Sequence, residues 1–160
     1  MLSDTHLRPD TLERLPREVW DLAEVADVIL HAGDVVDVAV LHALADIAPV
    51  HAVLGNNDHG LRGELPEVLE LELAGVKVAM VHDSGARAGR ERRMARRFPQ
   101  ADVVVFGHSH DPVVMQVPDG PLLVNPGSPT QKRRQPVPTV AWLVLGSVPD
   151  ARIIPVRTPA

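Results

Sequence analysis

A chain of 160 residues has room for one domain with a buried core, and its formal net charge of −5 gives no general attraction to nucleic acid. The absence of cysteine excludes disulfides, thiolate metal sites and a cysteine nucleophile, so any metal must rest on imidazole and oxygen ligands. Two Trp, two Phe and no Tyr leave no stacking platform for bases, and no apolar run approaches the ~20 residues of a bilayer span.

In chain order, the N-terminus shows no basic segment followed by an apolar one, so the chain reads as cytoplasmic, with no membrane partner. Met1-Leu2 leaves almost no strand ahead of Ser3-Asp4-Thr5-His6, a polar cluster that reads as the end of a buried strand. Either that strand is a stub or a few apolar residues precede Met1. Residues 28–31 and 50–54 read as buried strands, and between them Val38, Leu41, Leu44, Ala45 and Ala48 recur at helical spacing, which makes a βαβ unit. Residues 68–73 and 76–81 around Ala74-Gly75 predict a β-hairpin, followed by a helix over 89–98 and a strand over 103–106. The last third, 113–117, 122–125, 139–145 and 151–155, is strand-rich with Pro and Gly turns. There is no repeat, linker or low-complexity segment, and residues 1–160 read as a single α/β domain. Six arginines between Arg87 and Arg97, and the group Lys132, Arg133 and Arg134, read either as solvated faces or as an attraction for a phosphate substrate.

The polar residues that follow the apolar strands are Asp4 and His6, then Asp34, Asn56, His82, and His108 with His110. Strand C-terminal ends are where α/β sheets bind ligands, because neighbouring loops converge there on a rigid edge. Two carboxylates, one amide and four imidazoles suit borderline divalent metals such as Mn²⁺, Fe²⁺ or Zn²⁺. In an extended segment residues two apart face the same side, so alternation along 107–110 brings both imidazoles to one cluster. Each residue also has a structural reading: a lone His is often a core or capping residue, and Asp34 could cap the next helix. His31 reads as buried structure, His42 as part of a helix face and His51 as a strand start.

Five ordered segments, Ser3-Asp4-Thr5-His6, Gly33-Asp34-Val35-Val36-Asp37, Gly55-Asn56-Asn57-Asp58, His82 and Gly107-His108-Ser109-His110, resemble those of the calcineurin-like metallophosphoesterases. The likeness is strongest to the small prokaryotic YfcE-like phosphodiesterases, whose Asn-Pro-Gly-Ser turn resembles Asn125-Pro126-Gly127-Ser128, and it spans residues 1 to about 145. This resemblance implies a four-layer α/β/β/α sandwich with two mixed β-sheets. It also implies two divalent metal ions, Mn²⁺ foremost, with Ni²⁺, Fe²⁺ or Zn²⁺ as other candidates. Asp4, His6 and His110 would bind the first ion, Asn56, His82 and His108 the second, and Asp34 would bridge both. The implied reaction is hydrolysis of a small phosphoester, a phosphodiester foremost, by a hydroxide generated at the metals, with Asp34, Asn56 and His108 nearest the chemistry. A phosphomonoesterase is one rival. Another is a non-catalytic scaffold, since the family includes a retromer subunit that keeps the fold for protein interaction. Relatives also assemble, which makes a homo-oligomer an expectation here.

The chain departs from its relatives in two places. Many carry a His after the metal-binding Asn, where this chain has Asn57; an amide cannot act as a general acid, so esters with poor leaving groups should react weakly. His82 is followed by Asp83-Ser84 where relatives often have Gly-His. Four further residues are substrate-side candidates. Asn57 stands in place of the acid, and Asp58 either orients a neighbouring ligand or makes an ordinary turn. His59 either replaces the missing acid or is an exposed loop residue, and Ser128 either borders the substrate phosphate or belongs to a rigid turn.

Overall fold

The computed structural model describes residues 1–157. β3 (Val68–Leu73) and β4 (Val76–Val81) form the expected antiparallel hairpin, and both of its turn residues, Ala74 and Gly75, have the positive φ that suits a two-residue hairpin turn. β4 continues in parallel to β5 (Val103–Val105), β5 in parallel to β7 (Leu122–Asn125), and β6 (Val113–Gln116) closes the edge antiparallel to β7. The result is a mixed five-stranded sheet in the order β3-β4-β5-β7-β6.

The opposing sheet is assembled from two pairs. β1 (Ile29–His31) and β2 (Val50–Ala52) are parallel, with α2 (Val38–Ala45) as their crossover, while β8 (Thr139–Val144) and β9 (Asp150–Pro155) are antiparallel. Among the described residues only Met1-Leu2 joins the pairs. The Leu2 amide donates to Leu30 and its carbonyl accepts from Ala32, at 2.8 and 2.9 Å, while Met1 and Ala141 exchange bonds of 2.6 and 3.1 Å.

Strand alternation sorts the apolar side chains into layers. Val78 and Met80 of β4, Val103 and Val105 of β5, and Leu122 and Val124 of β7 meet Leu30, Ala32 and Val53 between the sheets. Their alternates Ala79, Val81, Val104 and Leu123 face Met94 and Phe98 at α3 (Arg90–Arg97) on one outer side. Ile29 and Ala52 instead face Leu41 and Leu44 of α2 and Val19 of α1 (Arg17–Glu24) on the other. The order is helix, sheet, sheet, helix, the four-layer sandwich with mixed sheets.

Residues 9–24 fold as a 3₁₀ turn (Pro9–Arg14) and α1, in which Val19, Leu22 and Ala23 recur at helical spacing. Pro9 occupies the first turn of the 3₁₀ segment and Pro16 caps α1, positions where a missing N–H costs nothing. Asp37, rather than Asp34, caps α2 by accepting from the Ala39 amide at 3.0 Å. Among the described residues no helix is long and apolar enough to cross a membrane.

Candidate metal centre

β1, β2, β4 and β5 end near one another, and the loops leaving them adopt an unusual backbone. Asp4, His6, Asp34, His108 and His110 all have φ between 48° and 67°, and Val36 reaches 81°. The left-handed region is costly for residues with a Cβ, most of all for a β-branched one, so the surrounding structure must hold these turns in place.

Asp58 supplies much of that hold. One of its carboxylate oxygens accepts from the amides of Asp34 (3.0 Å) and Gly55 (2.7 Å), and the other from Val36 (2.6 Å). Asp58 is thus buried with its charge spent on backbone, which agrees with the reading that it orients a neighbouring ligand rather than with a place on the substrate side. Of the two readings of Ser128, its surroundings agree with the rigid turn. It is buried, with Oγ donating 2.7 Å to the Asp4 carbonyl, so it braces the Asp4 turn from beneath and does not border a substrate. Thr130 Oγ1 braces the next carbonyl, that of Thr5, at 2.7 Å. A Cβ on Gly55 would collide with Asp34, and one on Gly107 with Ser3, so both glycines are required by close approach.

Two clusters of ligand atoms result. Asp4, His6 and His110 offer atoms that lie within 4.8 Å of one another, as do Asp4, Asp34 and His82. His110 Nε2 is 3.2 Å from Asp4 Oδ1 and 3.4 Å from His6 Nε2. Asn56 Oδ1 lies 3.0 Å from His82 Nε2 and 2.8 Å from His108 Nδ1. Asp34 Oδ2 stands between the two sides, 3.5 Å from His82 Nε2 and 3.7 Å from His6 Nε2. All seven residues expected as ligands therefore converge. The segment 107–110 is not extended, however. Left-handed turns at both histidines send His108 toward Asn56 and His110 toward Asp4, so the two imidazoles reach different sides of the cluster.

The hydrogen bonds behind the rings decide which nitrogens are free. His110 Nδ1 lies 2.5 Å from the Gln131 carbonyl and His82 Nδ1 lies 2.7 Å from that of Ala32. A carbonyl can only accept, so each Nδ1 carries the proton and, in a neutral ring, Nε2 presents a lone pair to the cluster. Backing of this kind is the usual support for a metal-bound histidine. The His110 lone pair then faces the lone pairs of Asp4 Oδ1, a buried oxygen that receives no hydrogen bond. Acceptor facing acceptor at 3.2 Å in a buried site is repulsive unless a cation lies among them, so this donor set fits divalent ions.

The ionisation of the site agrees. Burial works to raise the pKa of Asp4, but a proton on His110 Nε2, where it would donate to the carboxylate, and the Ser3 hydroxyl outweigh that and hold the carboxyl below its ordinary value; a metal ion in place of that proton would act in the same direction. Asp34 is also burdened by burial, yet His82 and the two donors of Asn57 hold it well below the usual carboxylate range. Burial likewise pushes His6 down, against Asp34 and Asp4, whereas in His82 the Asp34 carboxylate overcomes burial and raises the imidazole. Two buried carboxylates held in the charged form call for positive charge beside them.

The remaining histidines stand apart. His31 is fully buried, 3.1 Å from Thr5 Oγ1, and burial drives it down to about 3. His42 is exposed on α2, His51 lies in β2, and His59 opens an exposed 3₁₀ turn. Of the arginines, Arg93 donates to the Ser84 carbonyl at 2.8 Å and Arg90 stacks over Phe106, while Arg92, Arg96 and Arg97 form a solvated face. Arg133 is different, because its exposed guanidinium donates 3.2 Å to the His108 carbonyl at the edge of the cluster. Thr130, Gln131 and Arg133 carried no sequence signal for their roles beyond the basic run 132–134, since each acts across more than twenty residues of chain, whereas Ser3 donates to its neighbour Asp4 within the first segment.

Residues 1–147 match the calcineurin-like phosphoesterase superfamily domain. A probable metallophosphoesterase of Methanocaldococcus jannaschii is 35% identical over 98% of this chain and 80% of its own length. A second protein of that organism, named a phosphodiesterase, is 29% identical over 79% of this chain and 81% of its own. In fold the chain is similar to Vps29 of Entamoeba histolytica, solved in complex with Zn²⁺, with a TM-score of 0.74, 20% identity and 96% of both chains covered.

Proposed function

The chain belongs to the calcineurin-like phosphoesterase superfamily, and from that premise we propose that it is a hydrolase of small phosphate esters, phosphodiesters foremost, working with two divalent ions. The observation that carries the reading is Asp4 Oδ1, a buried carboxylate oxygen without a donor where the candidate ligands meet. Asp4, His6 and His110 would hold one ion, Asn56, His82 and His108 the other, and Asp34 would touch both. When bound, such ions supply a water acidified to near neutrality and positive charge for the phosphoryl oxygens.

The chain's own residues do the rest. Gln131 and Ala32 fix the ring orientation of His110 and His82 through their Nδ1 protons, and Asp58 keeps the Asp34 turn from relaxing. Asn57 is exposed beside Asp34, where its amide can donate a hydrogen bond but has no proton to transfer to a leaving alkoxide. That favours diesters with good leaving groups over esters that need a strong acid. The exposed guanidinium of Arg133 offers an anchor for a phosphate arriving at the same edge.

The test is hydrolysis of a chromogenic phosphodiester and its matching monoester by metal-stripped protein, with Mn²⁺, Ni²⁺, Zn²⁺ or Mg²⁺ restored one at a time. Restored turnover, faster on the diester and best with Mn²⁺, is the expected result. Tight metal binding without turnover of either ester would replace the enzyme with the scaffold reading, the other use of this fold. Asn57→His is expected to raise kcat on alkyl diesters about tenfold or more while changing activated aryl diesters little, because general-acid help matters most for a poor leaving group. An equal effect on both would mean that another group already delivers the proton.

A further inference from the structure

His31 is the one polar side chain in an otherwise apolar run, with the core residues Ile29, Leu30 and Ala32 on either side of it. The ring is wholly buried, and a buried polar ring is costly unless its nitrogens are paired. Nε2 lies 3.1 Å from Thr5 Oγ1, while Nδ1 has no partner. Burial holds the ring neutral, and a neutral imidazole has two tautomers. With the proton on Nδ1, a rigid buried N–H would have no acceptor, an arrangement that native proteins rarely keep. With the proton on Nε2, the ring donates to Thr5, Nδ1 keeps only a lone pair, and the hydroxyl proton is free to rotate. The second tautomer is the less costly. It is opposite to that of His82 and His110, whose Nδ1 protons go to carbonyls.

Thr5 gives the buried ring a purpose. It is itself wholly buried and lies between Asp4 and His6, both in the left-handed conformation. Asp4 and His6 offer ligand atoms to the cluster, whereas Thr5 sends its hydroxyl to β1, and among the described residues His31 is the only hydrogen-bond partner of that hydroxyl. The Thr5 carbonyl is held separately by Thr130. The amides of Asp4 and His6 donate to the carbonyls of Gly33 and Asp34, at 2.9 and 3.0 Å, in the loop that leaves β1 just after His31. Backbone bonds therefore fix the two ends of the turn, and the imidazole fixes the side chain at its middle.

We propose that His31 is a positioning residue: its Nε2–H, given to the Thr5 hydroxyl, holds the left-handed turn that presents Asp4 and His6, and ties that turn to the strand leading to Asp34. The ring itself belongs to neither group of converging ligand atoms, so it acts through Thr5. The consequence for metal binding rests on the two-ion reading given above, whereas the hold on the turn does not.

In metal-free protein, His31→Leu is expected to speed amide exchange at Asp4 and His6 about tenfold or more relative to Val104 in the opposing sheet. His31→Gln, whose side-chain NH₂ reaches the position of Nε2, should restore most of the protection, and His31→Asn, whose NH₂ falls short of it, should not. Thr5→Val should reproduce the loss, and the double variant His31→Leu/Thr5→Val should be no worse than either single one, as for two partners in one interaction. Should His31→Leu fail to fold, Thr5→Val against Thr5→Ser makes the same comparison with the ring in place. Calorimetric titration with Mn²⁺ reads the consequence: in His31→Leu, affinity about tenfold weaker for the ion that His6→Ala also weakens, and within about threefold of the parent for the other. Equal exchange ratios in all variants, or a His31 proton found on Nδ1 by long-range proton–nitrogen correlation spectra, would overturn the proposal. An equal loss of affinity for both ions would do so too, by marking His31 as an ordinary core residue. If the parent protein binds no ion, the two-ion reading fails by itself, and the exchange ratios alone decide whether His31 holds the turn.

Discussion

Asp34→Asn is expected to lower phosphodiester hydrolysis by about a thousandfold or more and to reduce the bound metal from two ions toward one. The argument is local. Asp34 Oδ2 stands 3.5 Å from His82 Nε2 and 3.7 Å from His6 Nε2, so it is the oxygen through which the two sides of the cluster are connected. Dications ~3.5–4 Å apart repel one another strongly unless anionic ligands lie between them, and an amide supplies no charge and only one accepting oxygen. The Asn57 amide and side chain, now 2.8 and 2.6 Å from the carboxylate, would in addition meet an NH₂ group on one side. The control is His42→Ala, which removes an exposed ring on α2 and should leave the rate within about twofold. Steady-state rates and metal content by elemental analysis decide the matter. Equal losses in the two variants, or an Asp34→Asn protein that keeps both ions, would sink the assignment of Asp34 as the bridge.

The second large effect is on folding. Asp58→Ala is expected to destabilise the metal-free protein by about 3–5 kcal/mol, because three backbone N–H groups, those of Asp34, Val36 and Gly55, lose their acceptor in a place where water has little access. Two of those amides belong to left-handed residues, one of them β-branched, so the turn itself would relax and displace the Asp34 carboxylate. Activity should therefore fall together with stability. Asp58→Asn should be intermediate: its remaining oxygen can serve Asp34 and Gly55, but its NH₂ would oppose the Val36 amide. Urea unfolding with an unchanged m-value provides the measurement. A loss below about 1 kcal/mol for Asp58→Ala would show that the turn is held by something other than this carboxylate.

The residues that local chemistry governs were legible in the chain. The β3-β4 hairpin follows from apolar alternation on either side of Ala74-Gly75, and α2 from apolar spacing between two β-branched strands. The ligand types were legible too, because a carboxylate, amide or imidazole directly after a buried run has few structural uses at so many positions at once. Asp58, read as orienting a neighbouring ligand or making a turn, and Ser128, read as bordering phosphate or belonging to a rigid turn, were legible as alternatives, but their partners were not. Each acts on backbone groups far away in sequence, Asp58 on Asp34 and Ser128 on Asp4, and such pairings leave no periodic trace. The segment 107–110 misled for a related reason: period-two alternation assumes an extended chain, and the left-handed turns at His108 and His110 are imposed by contacts with Asp4, Asn56 and Gln131.

By itself, then, the sequence determined the layering and the inventory of donors, since hydrophobic period and side-chain chemistry are properties of neighbouring residues. The tertiary structure decided which nitrogen of each imidazole faces inward, that Asp4 Oδ1 is left without a donor, and that β1 and β8 stand apart with a slot between them. Those features depend on groups brought together from 21 residues apart, His110 with Gln131, to 140 residues apart, Met1 with Ala141, and no local pattern encodes pairings of that kind.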